Sequence, residues 1–349
     1  MTKEELSVSR QFLSTLQPKP GSSAVARRKL KKETHDLDII IPCFNTQNYV
    51  RRCVESVLGQ GGKYKVRIIA VDDGATDASG MILDEYSSRD DFCVIHQENK
   101  GFSGARNAGL GIVDAKYVSF LDSDDYMFPG TVEKLLDTAI SSDAEVAEGF
   151  LVHFTDDIDV NLNNFSFEVS SIGKEDIVRF MPGKVYKTEL FDDVCFPENY
   201  WFEDSILSYL IIPRCSKIVR ADMPVYAYRQ NPEGISAKSH GKIKSIDSYW
   251  IMEMLLEDMK KLDIQIDQDM YEEILDEIAL TYVRTHELGI NVSVSIFYLT
   301  LEWFKGIHSL FTSKNKFQEV LEKGLELENY KTYCDGCAIL WNSKLAGIK

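Results

Sequence analysis

The chain reads as an α/β protein, with a mixed, mainly parallel sheet flanked by helices and a helical C-terminal subdomain behind it. Three observations predict this. From Asp36 onward, short apolar runs alternate with helix-length amphipathic stretches, the pattern of repeated βαβ units. From Tyr249 onward, the apolar residues change to three-to-four spacing. The chain has 349 residues, 44% of them hydrophobic, which is enough to bury a core domain with an appendage.

Residues 1–35 are polar and end in Arg27-Arg28-Lys29-Leu30-Lys31-Lys32, a solvated tail or leading helix. The same run would suit peripheral contact with an anionic membrane surface, where each basic residue contributes about 1 kcal/mol. Residues 36–240 form the expected sheet domain. Its strands are Leu37 to Ile41, Val66 to Val71, Phe92 to His96, Tyr117 to Leu121 and Val146 to Val152. Its helices are Asn48 to Leu58, Thr76 to Arg89, Ser103 to Val113 and Pro129 to Ser141. Thr46 is the expected N-cap of the first helix, and Pro129 suits the first turn of the fourth. Residues 155–175, rich in Asp, Asn and Ser, read as an irregular excursion or edge hairpin. Lys184 to Lys187 and Trp201 to Ser205 follow, then a strand-like stretch from Lys217 to Tyr228. In residues 241–349 the periodicity predicts helices at Tyr249 to Leu262, Met270 to Leu288 and Val294 to Phe311. Their apolar faces, including Ile251, Leu255, Leu280, Phe297, Trp303 and Phe304, need burial in a helical core, in a homodimer or against a partner.

The formal charge of −16 repels phosphate backbones and excludes general nucleic-acid binding. An acidic protein that handles anionic substrates needs local positive charge, and a bound divalent cation supplies it. Neither a membrane span nor the apolar core of a signal peptide is evident, so the expected location is the cytoplasm, including the inner face of the membrane. Seven scattered cysteines read as reduced thiols, and Cys334-x-x-Cys337 lacks the second pair that a zinc site needs.

In an open parallel sheet, ligands bind beyond the carboxyl ends of the strands. The first apolar run ends in Pro42-Cys43-Phe44-Asn45, the second in Asp72-Asp73-Gly74 and the fourth in Asp122-Ser123-Asp124-Asp125. Three strands thus deliver polar groups to one rim. Magnesium and manganese prefer carboxylate and phosphate oxygens, and an Asp-x-Asp places one carboxylate on the metal and a second on a ribose hydroxyl or a metal-bound water. Taken alone, the cluster reads equally well as a solvated turn.

The segments IIPCFNTQNYVRRCVESVLGQ, VDDGATDAS, NKGFSGARNAGL and YVSFLDSDDYMFPGTVEKL, in this order, resemble the inverting nucleotide-sugar glycosyltransferases of family 2, which have the Rossmann-like GT-A fold. The resemblance covers about residues 37–230. It implies that Pro42, Phe44 and Asn45 line the nucleotide pocket, with Asp73 on the base and Arg106 near the base or the donor phosphates. It also implies that Asp122 lies by the ribose and the metal, with Ser123 among the donor-binding residues and Asp124 on the metal, Mn2+ or Mg2+. Glu203-Asp204 matches the family's later acidic motif, with Asp204 as general base, a role the chemistry requires because a sugar hydroxyl is a poor nucleophile at neutral pH. Arg229 and His240 fall where the family closes over the donor, with Arg229 offered to the diphosphate and His240 to the diphosphate or the metal. The implied partners are a nucleotide-diphosphate sugar, with UDP expected, and a glycan or glycosylated acceptor in surface polysaccharide or glycoprotein synthesis.

Other classes fit less well. A nicotinamide dehydrogenase needs Gly-x-Gly-x-x-Gly after the first strand, where Pro42-Cys43-Phe44-Asn45-Thr46 stands. A nucleotidyltransferase needs a glycine-rich loop there, and a haloacid-dehalogenase-like phosphatase needs its Asp-x-Asp there. The remaining alternative is a catalytically silent relative that binds nucleotide sugars or assembles with a partner transferase. The intact acids at Asp73, Asp122, Asp124 and Asp204 argue against it.

Overall fold

The computed structural model describes residues 2–26, 34–155, 168–231 and 238–347. The basic run 27–32 and residues 156–167 of the expected excursion lie outside them, so the lipid-surface reading has no structural counterpart here.

Among the described residues, nine strands form one mixed sheet: β1 (His35–Cys43), β2 (Val66–Asp72), β3 (Phe92–His96), β4 (Ala115–Phe120), β5 (Tyr126–Met127), β6 (Val146–Phe154), β7 (Val169–Ile172), β8 (Lys184–Lys187) and β9 (Ile218–Arg229). Their order is β3-β2-β1-β4-β8-β6-β9-β5, with β7 on β9. The first four pair in parallel, β8 runs antiparallel between β4 and β6, and β9 is parallel to β6. The chain therefore leaves β1, β2, β4 and β9 at the same rim.

Burial on both faces explains the unbroken apolar runs: Ile39, Ile40 and Ile41 are all fully buried. One face packs against α2 (Val50–Val57) and α5 (Thr131–Ser142), through Val54, Leu135 and Leu136 among others. Between them in sequence lie α3 (Ser79–Asp84) and α4 (Gly101–Leu110). Helix α4 lies so close to β1 that a Cβ at Gly109 would sit 2.6 Å from Ile40 Cγ2. Pairing of β1 with β2 runs to Cys43 and Asp72, but pairing with β4 ends at Ile40 and Phe120, with Leu121 N–H on the Ile40 carbonyl. The next donor toward β4 would come from Pro42, which has no N–H, so the two strands part and leave a crevice where strand order reverses.

Two helix-start expectations are corrected. Thr46 does not cap α2. Its carbonyl accepts from Tyr49 and Val50, while its hydroxyl donates to Ser123 Oγ at 3.1 Å. Pro129 precedes the cap of α5, which is Gly130 at φ +75°, a backbone conformation that glycine adopts freely.

The chain forms two compact units. The first comprises Ser22–Asn199 and Glu203–Asn231 and holds the sheet. The second comprises Met1–Gly21, Tyr200–Phe202 and Pro232–Lys349 and is helical. These bounds differ from the expected 1–35, 36–240 and 241–349 division. The leading helix α1 (Lys3–Leu16) begins with a Thr2–Glu5 capping box and belongs to the helical unit. Arg10 donates to Glu253 at 2.7 and 3.0 Å, and Trp250 Nε1 donates to the Gln17 carbonyl at 2.9 Å. Ser22 to Ala26 instead joins the sheet unit, with Val25 bridging Val194.

Further helices in the helical unit are Asp247–Lys261, Gln268–Thr285, Ile290–His308, Glu319–Glu326 and Tyr330–Leu345. The last two were not read from sequence. They cross at glycines, where a Cβ on Gly336 would lie 2.3 Å from Leu321 N. Ile251, Leu255, Phe297 and Phe304 are buried within the chain, which accounts for most of the apolar face that suggested a dimer. No described helix is long and apolar enough to cross a membrane.

Candidate active site

The turns after β1, β2 and β4 tie themselves together. Asn45, at φ +53°, accepts from the Thr76 N–H at 2.8 Å and its hydroxyl at 3.2 Å, which joins the first turn to the second. Pro42 is buried beneath, and Phe44 stands 43% exposed beside the crevice. Asp73, 2% exposed, accepts from the Lys100 N–H at 2.8 Å and Gln97 Nε2 at 2.6 Å, holding the turn that starts α4. Gly74 is required there, since its φ is +72° and a Cβ would stand 3.0 Å from the Asn99 nitrogen.

Beyond β4 the four-residue acidic turn folds back on itself, with Asp125 N–H on the Asp122 carbonyl at 3.0 Å. Asp125 faces inward at 3% exposure, accepting from Tyr226 Oη at 2.6 Å and from the Arg229 N–H at 2.7 Å. Burial, together with Asp122 and Asp124, pushes its carboxyl up to about 8. Tyr226 also receives the Asp122 N–H at 3.2 Å, so β9 sets the shape of the acidic turn. Asp124 is raised too, first by burial and then by Asp122. Arg229 donates through Nε to the Asp124 carbonyl at 2.9 Å, and its guanidinium lies 4.5 Å from the rings of both Tyr49 and Phe154.

Arg106 is almost wholly buried and bridges two carboxylates. One Nη meets Asp122 Oδ1 at 2.9 Å, and the other meets Glu203 Oε1. Burial disfavours its charge, and Asp122 and Glu203 outweigh that, raising its pKa. Its Nε has no partner among the described residues. Glu203 opens a three-residue 3₁₀ turn, Glu203–Ser205, that also carries half-buried Asp204. The two Nη groups of Arg106, expected near the base or the donor phosphates, are engaged by protein carboxylates.

The sheet unit holds Pro42, Phe44, Asn45, Asp73, Arg106, Asp122, Ser123, Asp124, Glu203, Asp204 and Arg229. His240 belongs to the helical unit. Sequence reasoning missed Tyr226, Ser103 and Asn107. Ser103 Oγ donates to the Pro197 carbonyl at 2.7 Å, and Asn107 exchanges hydrogen bonds with the Phe196 backbone at 2.8 and 2.9 Å. Their spacing with Arg106 marks one helix face, but nothing in it names partners about ninety positions away.

Among the described residues, one group of three, His35, Asp38 and Asp114, has ligand atoms close enough together to hold a metal ion. It lies at the start of β1 and after α4, away from the strand ends that form the rim. Arg67 engages both oxygens of Asp38, at 2.9 and 2.7 Å, so the group already has its cation.

The sequence profile of glycosyl transferase family 2 matches residues 38–191. Glycosyltransferase GlyG of Streptococcus pneumoniae serotype 4 is 31% identical over 219 residues, covering 57% of this chain and 72% of GlyG. The chain belongs to glycosyl transferase family 2. Glycosyltransferase GlyA of the same organism is 32% identical over 212 residues, but the match spans only 30% of GlyA's length and 55% of this chain. Among solved structures, S. aureus TarS 1-349 in complex with UDP-GlcNAc superimposes with a TM-score of 0.69 at 17% identity, covering 90% of this chain and 92% of that one. The fold is therefore GT-A, and in this family-2 chain the profile match takes in β1 through β8 and the Asp-x-Asp turn.

Proposed function

We propose that the chain is an inverting, metal-dependent transferase that moves a sugar from a UDP-linked donor to a hydroxyl of a glycan acceptor. The observation that carries this reading is the Arg106 bridge, which joins the acidic turn after β4 to the turn bearing Asp204 within one compact unit. UDP is favoured as the nucleotide because the structural neighbour TarS was solved with UDP-GlcNAc.

The donor side is built from Pro42, Phe44, Asn45, Asp73 and Ser123. Asp122 and Asp124 fit a divalent ion, Mn2+ or Mg2+, because burial and then the neighbouring Asp122 disfavour the charge of Asp124, and a cation offsets both. Such an ion supplies Lewis acidity to the leaving diphosphate. Arg229, held over two rings beside Asp124, adds fixed positive charge on the same side. Asp204 takes the proton from the acceptor hydroxyl as it attacks the anomeric carbon opposite the diphosphate, which inverts that centre. A retaining double displacement would call for a second, nucleophilic carboxylate. The acceptor is read as a glycan, and the site as facing the cytoplasm.

Asp124→Asn is expected to lose manganese-dependent UDP binding. Asp204→Asn is expected to keep UDP binding and lose about 10²- to 10⁴-fold in transfer rate. Transfer by Asp204→Asn at the parent rate would remove the base assignment. Absence of nucleoside diphosphate release from every nucleotide sugar tested, with acceptors and manganese, would favour the silent binding protein instead.

A further inference from the structure

We propose that α4 is a template for the base-bearing turn, with Ser103, Arg106 and Asn107 as positioning residues for Asp204 and with Glu203 as the link rather than a proton carrier. This rests on the reading of Asp204 as general base. The three residues stand at i, i+3 and i+4, one face of the helix. Each holds a different point of the segment that leads to the turn. Asn107 binds the Phe196 backbone in both directions, Ser103 takes the Pro197 carbonyl, and Arg106 takes Glu203.

The segment contains neither α-helix nor strand, and it is held at Tyr200 and Trp201, whose hydroxyl and N–H donate to the Pro20 carbonyl and to Asp247 Oδ2 at 2.8 Å. Asn199 and Phe202 adopt positive φ, +69° and +67°, and the regular structure that follows is a three-residue 3₁₀ turn. Arg106 is pinned in turn. Its guanidinium lies 5.2 Å from the buried ring of Phe196 and 5.9 Å from the exposed ring of Phe102, and its second Nη ends on Asp122. A planar guanidinium sets two carboxylates at a fixed separation, which a flexible ammonium would not do. The motif Gly101-Phe102-Ser103-Gly104-Ala105-Arg106-Asn107 therefore serves the acceptor half of the reaction by setting the distance from Asp122 to the turn of Asp204.

The test compares Asn107→Ala, Glu203→Ala, Glu203→Gln and Asp204→Asn, reading UDP–manganese affinity by calorimetry and kcat at saturating donor. Asn107→Ala and Glu203→Ala are expected to bind UDP–manganese within about twofold of the parent, which also reports that they fold, and to lose about 10- to 100-fold in kcat, the cost of misplacing a reacting group by roughly an ångström. Glu203→Gln is expected to recover most of that loss, since its amide oxygen still accepts from Arg106. Loss of UDP binding in Asn107→Ala or Glu203→Ala would overturn the proposal, as would parent-like kcat in both. If Glu203→Gln were as slow as Glu203→Ala, Glu203 would be a proton carrier. Asp204→Asn separates the two layers. If it keeps parent kcat, the base reading falls; if it is slow while the other variants are parent-like, only the template falls.

Discussion

Lys184 carries its ammonium into the middle of the sheet, fully buried, where it donates to the Phe180 carbonyl at 2.6 Å and lies 3.3 Å from buried Glu148. Burial lowers its pKa to about 8, against the pull of Glu148. The unfolded chain keeps that proton up to about pH 10.4, so between pH 8 and that value the unfolded state holds more protons at this site and the contribution of Lys184 to stability rises with pH. Burial raises the thiols of Cys53, Cys215 and Cys337, which works in the opposite sense. The difference in urea unfolding free energy between the parent and Lys184→Met should therefore move in the parent's favour over that range; a constant difference would mean that Lys184 titrates normally. Tyr226 is the other residue with a role that its sequence position hides. Its hydroxyl joins Asp125 to the Asp122 backbone, and Tyr226→Phe leaves both short of a partner. The expected loss is about 1–3 kcal/mol of unfolding free energy, read from urea midpoints. Neither role was legible beforehand, because a tyrosine or lysine in a strand looks the same whether it meets water or a buried carboxylate.

Among the elements, the strands and helices of the sheet unit were legible because a doubly covered parallel strand is apolar throughout and its crossover helix is amphipathic. The observed β1, β2, β3, β4 and β6 fall on the apolar runs that announced them. Elements set by distant contacts were less legible. The start of α2 differs from the expected one because the Thr46 hydroxyl is drawn to Ser123, and the sequence of α1 is open between tail and helix because its partners lie more than 230 positions away. Two predictions belong here. Gly109→Ala forces a methyl against Ile40 and should cost about 1–3 kcal/mol through overpacking, visible as a lower thermal midpoint. Truncation of residues 1–19 removes Arg10 and Lys19 from Glu253, and hydrogen exchange should show lost protection around Tyr249 to Glu253. Unchanged protection there would make α1 an ornament.

For the whole molecule, the legible part was chemical: strand ends, read together, predicted an acidic rim, and the sheet delivers it. The illegible part was which groups answer one another across it, as with Arg106, which stands between Asp122 and Glu203, 16 and 97 positions away. A protein of charge −16 that concentrates carboxylates at one turn should take UDP well only with a cation. UDP is expected to raise the thermal midpoint with manganese present and to leave it unmoved with a chelator, since only binding to the folded state stabilises it. An equal rise in both would sink the metal reading. The hydrogen bonds of α4 to Phe196 and Pro197 also have a temporal side, because they close loops of 89 and 94 residues. Contacts so far apart in sequence are slow to form and come after local helices and neighbouring strands. The acidic turn waits in the same way on Tyr226 and Arg229, 101 and 104 residues away, so on refolding from urea the helical signal should return first, with UDP binding and transfer activity following together.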